Sequence, residues 1–172
     1  RRQRQMCIRD SCCYLYKFVA YSGTYRVKNP QKYEGDVRKC KYRSLWERQV
    51  MRWLDHNPQV MGWSAEEVVI RYRCKTDGKL HRYYVDLFVR WANCDYPHGK
   101  CTLIEIKPKK ECLPPIQNKS GRNTKRYIKE VMTYAKNQSK WEAARAFATH
   151  NNMEFYVWNE DTIKGLGIKL LT

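Results

Sequence analysis

Apolar and polar positions change rhythm several times along this chain, and each change marks an element. In "SLWERQVMRWLDHNP" the apolar residues Trp46, Val50, Trp53 and Leu54 recur at helical spacing,. Ser44 supplies an N-cap and Pro58 a stop, so the pattern predicts a helix. "EEVVIRYRC" (66–74) then reads as a strand, and Asp77-Gly78 as the turn after it,. "LHRYYVDLFVRW" (80–91) reads as a second strand and "CTLIEIKP" (101–108) as a third. "ECLPPIQNKSGRN" carries Pro114, Pro115 and Gly121 and reads as a loop,. The stretch from Thr124 to Asn152 is helical in pattern, with a break expected near Asn137-Gln138-Ser139. "MEFYVWNE" is a last strand and "TIKGLGIKLL" a short tail. The order is helix, three strands, helix, strand, which predicts an α/β domain with a mixed central sheet and a meander at its heart.

Residues 1–43 lack such a rhythm. They divide into an apolar, cysteine-rich start and a basic, turn-rich stretch with Asn29-Pro30 and Gly35. The expected division is a basic N-terminal arm over 1–43 and a folded domain over 44–172.

Charge narrows the partner. Lysine and arginine number 34 against 17 acids, for a formal net charge of +17. A polyanion is the expected partner, and nucleic acid the commonest one. No long apolar span or basic amphipathic helix with a clean apolar face supports a membrane partner. The eight cysteines are irregularly spaced, which fits a reduced compartment better than a disulfide framework,. Cys94, His98, Cys101 and Cys112 have the composition of a zinc site but no CxxC pair, and a hairpin loop with free thiols is the plainer reading,.

The acids in the apolar strands are the feature to explain. Strand residues alternate faces. Glu105 and Lys107 therefore project side by side, with Leu103, and opposite to Ile104 and Ile106. A hairpin centred near Asp95/Tyr96 sets Asp86 directly across from Glu105. Opposed carboxylates repel, so something must compensate. A divalent cation such as magnesium would do so, since it takes one or two carboxylates plus water and phosphate oxygens. A solvated cross-strand Lys–Glu pair is the structural alternative. Glu47 likewise has two readings. It completes the capping box S-x-x-E over Ser44–Glu47, and it lies beside the apolar stripe of the helix, where it can reach the sheet edge.

The set Glu47, Asp86, Glu105 and Lys107 resembles the PD-(D/E)xK nuclease superfamily. Val85 stands where the family's namesake proline would be. The resemblance implies a restriction-endonuclease-like αβββαβ core, with Asp86 and Glu105 as metal ligands, Glu47 assisting, and Lys107 as the catalytic lysine. The cofactor it implies is Mg2+, with Mn2+ as a substitute. "KNPQKYEGD", "YRSLWERQVMRWLDHNPQV", "HRYYVDL" and "IEIKPKKE" are together similar to the head completion nucleases of tailed phages, and "KWEAARAF…MEFYVWNED" to TnsA-type transposition endonucleases.

What this implies is a deoxyribonuclease with endo- and exonucleolytic character that acts on packaged double-stranded DNA before tail joining. Phage portal, head or neck proteins would be its partners, with no membrane. It would work in the host cytoplasm during assembly or on the virion. Lys109, Lys110, Arg122, Lys125 and Arg126 are the expected DNA contacts. A non-catalytic DNA-binding plug or neck protein, and a TnsA-like endonuclease, are the competing readings.

Overall fold

The computed structural model describes residues 22–92, 100–117, 121 and 123–171. Arg122, Cys94 and His98 lie outside the described residues, as does the apolar start. Two short strands, β1 (Gly23–Thr24) and β2 (Lys41–Tyr42), pair antiparallel ahead of helix α1 (Leu45–His56). Next come β3 (Val60–Ala65), β4 (Val69–Arg73), β5 (Leu80–Tyr84), β6 (Leu87–Trp91) and β7 (Lys100–Ile106). The short helix α2 (Lys109–Cys112) precedes the long helix α3 (Lys125–His150). Strand β8 (Glu154–Trp158) and helix α4 (Glu160–Gly165) follow.

Four strands form the main sheet in the order β3-β6-β7-β8. β3–β6 and β6–β7 are antiparallel, and β7–β8 is parallel. The parallel return needs a long crossover, which α3 provides. The sheet is filled on both faces. Leu87, Val89, Ile104 and Ile106 pack with Val50, Met51 and Leu54 of α1. Leu103 and, half-buried, Phe88 and Phe155 pack with Ala144 and Ala148 of α3. The result is a mixed α/β fold of the restriction-endonuclease-like kind, as the strand pattern implies.

Four expectations need correction. The first strand of the core is β3, not residues 66–74. "VMGWSA" shows no alternation because it is buried on both faces apart from Met61, and a doubly buried strand loses the period of two. Gly62 leaves room there for the ends of Glu34 and Arg90, whose ion pair crosses the strand and would have to shift for a Cβ. Second, residues 80–91 are two strands. β5 pairs only with β4, in a two-stranded ribbon, and β6 joins the main sheet. Third, α3 runs unbroken through Asn137-Gln138-Ser139. Ser139 Oγ donates to the Ala135 carbonyl at 2.8 Å and accepts the Lys75 N–H at 3.1 Å, so a polar residue sits satisfied inside the helix,. Fourth, the terminal tail contains α4, capped by Asn159, whose Oδ1 accepts from the Asp161 and Thr162 N–H groups.

Residues 22–43 join the same core. Tyr25, Tyr33 and Cys40 are buried, and both tyrosine rings pack edge-on against Trp63. Asp55, fully buried in α1, accepts hydrogen bonds from the Tyr25 hydroxyl and from the Lys28 and Asn29 N–H groups at 2.7–3.1 Å.

Candidate active site

The seam between ribbon and sheet brings the candidate residues together. β5 ends at Tyr84 and β6 begins at Leu87, so Val85 and Asp86 belong to neither. The partners Leu87↔Ile104 and Phe88↔Leu103 define the β6–β7 register, and extending it by one residue brings Asp86 opposite Glu105. The sequence register is therefore correct, although the strand it rests on ends one residue sooner. Asp86 is held by the backbone on both sides: its Oδ2 accepts the Ile106 N–H at 2.8 Å, and its carbonyl accepts the Glu66 N–H at 3.3 Å.

Glu105 lies in the interior of β7 and is almost wholly buried. One carboxylate oxygen faces Lys107 Nζ at 3.0 Å, and the other accepts the Tyr83 hydroxyl at 2.7 Å. Lys107 Nζ lies 4.0 Å from Asp86 Oδ2. Its backbone N–H donates to the Trp158 carbonyl at 3.1 Å, so β8 fixes where the lysine leaves the sheet.

Burial weighs on every charge here. It pushes the Asp86 carboxyl well above its ordinary value, and the Glu105 and Glu47 charges push the same way against the pull of Lys107,. Burial alone would lower the Lys107 ammonium, but Asp86 and Glu105 outweigh it and raise its pKa, so the lysine is charged. Burial, then the Glu105 charge, raises the Tyr83 phenol, which keeps it a hydrogen-bond donor.

Glu47 sits at the edge of this group. Ser44 Oγ accepts the Glu47 N–H at 3.2 Å and donates to the Glu47 carboxylate at 3.0 Å. The other Glu47 oxygen accepts the Arg43 N–H at 2.6 Å. The capping reading therefore holds, and it coexists with proximity to the site. Burial raises the Glu47 carboxyl above its ordinary value, partly offset by those hydrogen bonds and by the Lys107 charge. Asp86, Glu105 and Lys107 are brought together; Glu47 is near but engaged elsewhere.

The donor set suits a hard divalent cation. Two carboxylates face a single ammonium in a poorly solvated place, with a third acid nearby, an excess of negative charge that a cation with oxygen ligands relieves,. Asp86 and Glu105 would hold it, with Glu47 in support.

One contributor was missed by sequence reasoning. Tyr83 was read only as a strand residue, yet it orients Glu105. Beside it, Lys140 of α3 places its ammonium 5.3 Å from the Tyr83 ring centre,. Glu66, whose N–H bonds the Asp86 carbonyl, has its side chain paired with the Arg43 guanidinium. Of the expected DNA contacts, Lys110, Lys125 and Arg126 are exposed, and Arg126 pairs with Glu130 at 3.0 Å. Lys109 is tied to α4, its Nζ 2.7 Å from Asp161 and its N–H donating to Glu160. Cys101 and Cys112 are free thiols.

Acid, acid and lysine at the end of a mixed sheet define a nuclease-type site. Comparison with known proteins places it more closely: residues 57–160 match the model of the TnsA-like endonuclease N-terminal family, and the chain belongs to that family. The "Head completion nuclease" of Enterobacteria phage T4 is 39% identical over 153 residues, covering 88% of this chain and 99% of the phage protein. No solved structure matches the chain.

Proposed function

We propose that this chain is a magnesium-dependent deoxyribonuclease that acts in phage head completion, cutting or trimming packaged double-stranded DNA before tails join. The observation that carries it is the Asp86–Glu105–Lys107 cluster, in which a buried acid inside β7 and a second acid just ahead of β6 face one charged lysine. The near full-length likeness to a head completion nuclease supplies the biological setting.

A magnesium ion at the carboxylates would lower the pKa of a bound water and neutralise charge on the phosphate. The chain's own groups do the rest. Asp86, with Oδ2 fixed by the Ile106 N–H, would offer its other oxygen to the ion. Tyr83 holds Glu105 in one orientation, so that its other oxygen faces Lys107. Lys107 donates to the attacking water or to the phosphate oxygens as charge develops on them. Glu47 and the Ser44 cap brace the near edge. Catalysis of this kind is mainly a matter of positioned charge, and the hydrogen bonds at 2.7–3.0 Å are what position it.

Duplex DNA as substrate is supported by the charge of +17 and by the exposed face of the ribbon. Arg71 of β4 and Arg82 of β5 are register partners, both exposed and in no ion pair among the described residues. Like charges directly opposite each other destabilise a sheet, and a phosphate backbone relieves them. Lys110, Lys125, Arg126 and Arg122 would extend the basic path; Lys109, tied to Asp161, is the least free to join it. Portal, head or neck proteins would bring the enzyme to its substrate in the host cytoplasm or on the virion.

The test is cleavage of supercoiled plasmid and linear duplex in magnesium and in chelator, beside Lys107→Ala. Magnesium-dependent cutting that the variant loses supports the reading. Salt-sensitive binding by both proteins without cutting means a DNA-binding plug instead. A TnsA-type role, which the family match raises, predicts cutting confined to particular DNA ends, and unselective cutting removes it.

A further inference from the structure

The turn joining β4 to β5 gathers three metal-ligating side chains that the nuclease chemistry does not use. Cys74 follows β4, Asp77 sits in the turn and His81 lies in β5. Their sulfur, carboxylate oxygen and ring nitrogen all lie within 4.8 Å of one another. His81 Nε2 is 2.8 Å from Asp77 Oδ2. An exposed Asp–His pair is common and needs no metal. The buried cysteine beside it is less easily explained: its sulfur, 3.0 Å from Thr76 Oγ1, is turned to the polar turn although the residue belongs to an apolar cluster.

The turn is also rigid in advance of any ligand. The Cys74 N–H donates to the Lys79 carbonyl at 2.9 Å, and the Gly78 N–H to the Cys74 carbonyl at 2.8 Å. Gly78 has φ +68°, which only glycine adopts at no cost,. The Lys79 N–H occupies Asp77 Oδ1 at 3.0 Å and so turns Oδ2 to His81. The Tyr72 ring lies against the imidazole, with centroids 5.7 Å apart. The Lys75 N–H, bound to Ser139 Oγ, fastens the turn to α3.

We propose that Cys74, Asp77 and His81 form a second metal site, specific for a borderline cation of the zinc class, with its fourth position open to water. The mixed sulfur, nitrogen and oxygen set selects such a cation over magnesium, which prefers oxygen alone. The site is structural. It clamps the tip of the ribbon whose other end carries Tyr83 to Glu105. The chain then holds two metal sites of opposite preference: an oxygen site for the hydrolytic cation at the seam, and a thiolate–imidazole site at the ribbon tip.

The test is cobalt(II) titration of the full chain after chelator treatment, followed through the thiolate-to-cobalt charge-transfer absorption in the near ultraviolet. A saturable band is expected that zinc displaces and excess magnesium does not. It should vanish in Cys74→Ser, weaken by more than about tenfold in affinity in His81→Ala, and persist in Asp86→Asn. Zinc should raise the melting temperature of the wild type but not of His81→Ala, a half-exposed position whose change leaves the core intact. Absence of the band, or a band that survives both ribbon substitutions, overturns the proposal; the second result would place the metal at other cysteines. None of these readouts uses DNA cleavage, so the site at Asp86 can fail while this one stands.

Discussion

The main sheet and the β4–β5 ribbon are built from similar strands but use them differently. The sheet buries both faces, between α1 on one side and α3 on the other. The ribbon buries one. Ile70, Tyr72 and Tyr83 point to α3, while Val69, Arg71, Arg73, Arg82 and Tyr84 remain exposed. A doubly covered sheet is rigid and poorly solvated, and at its end burial raises the Asp86 carboxyl. A singly covered ribbon can present arginines to a polyanion. The two meet at Val85-Asp86, so the acid proposed to hold the metal sits where the rigid layer joins the exposed one.

The sharpest way to break this division of labour is at the sheet end. Lys107→Ala should lower cleavage by about 10²–10⁴-fold while leaving DNA affinity nearly unchanged. Asp86→Asn should lose cleavage to a similar depth, measured as single-turnover rates on linear duplex. A rate loss that merely tracked weaker binding would mean that these groups grip DNA rather than cut it.

The link between the regions is tested next. Tyr83→Phe removes the donor to Glu105 and leaves a buried carboxylate oxygen unpaired. A hydrogen bond to a charged group contributes about 1.5–3 kcal/mol, so the rate should fall by about 10- to 100-fold. The same unpaired oxygen should also lower the melting temperature by a few degrees, so the rates are compared well below the unfolding transition.

A pH series separates the layers further. Asp86 is raised by burial first and by Glu105 second, so it ionises above the ordinary aspartate value of 3.8. At sub-saturating magnesium, activity should therefore fall on acidification at a higher pH than an exposed aspartate would give, and raising the magnesium concentration should move that fall to lower pH. Stability without metal should run the other way. A raised carboxyl favours the folded state below its unfolded pKa, and that contribution is lost as pH rises through the folded one. Melting curves in chelator should thus decline over that window, and magnesium should cancel the decline. An Asp86→Asn protein that showed the same decline would assign it to another group.

The smallest effect belongs to the ribbon. Arg71→Ala with Arg82→Ala should weaken duplex binding a few-fold and reduce the salt slope of binding by about 2, with single-turnover cleavage at saturating DNA preserved. An unchanged salt slope would remove the ribbon from the DNA path.

Much of this division was legible in the chain, and its gaps have physical causes. The β6–β7 register follows from a single hairpin centre, because strand pairing is strictly periodic. The acids stood out because charge inside an apolar run demands a partner. β3 was hidden because burial on both faces erases alternation and Gly62 interrupts the run. The break at Asp86 was hidden because Tyr84-Val85-Asp86-Leu87 keeps its period of two across the seam, although the chain changes sheets there. Tyr83 looked like any strand aromatic, since its role depends on Glu105, twenty-two residues away in sequence. Ser139 looked like a helix breaker, and only the Lys75 N–H from a distant turn explains why it is not.

The bond from the Lys107 N–H to the Trp158 carbonyl carries a consequence for timing. β7 cannot acquire its parallel neighbour until the whole of α3 has been made and folded back. A ribosome that has released the chain only as far as α3 has already exposed both acids, but β8 has not yet fixed the lysine. Since domains fold as they emerge, N-terminal parts first, the cutting geometry is among the last things this chain assembles.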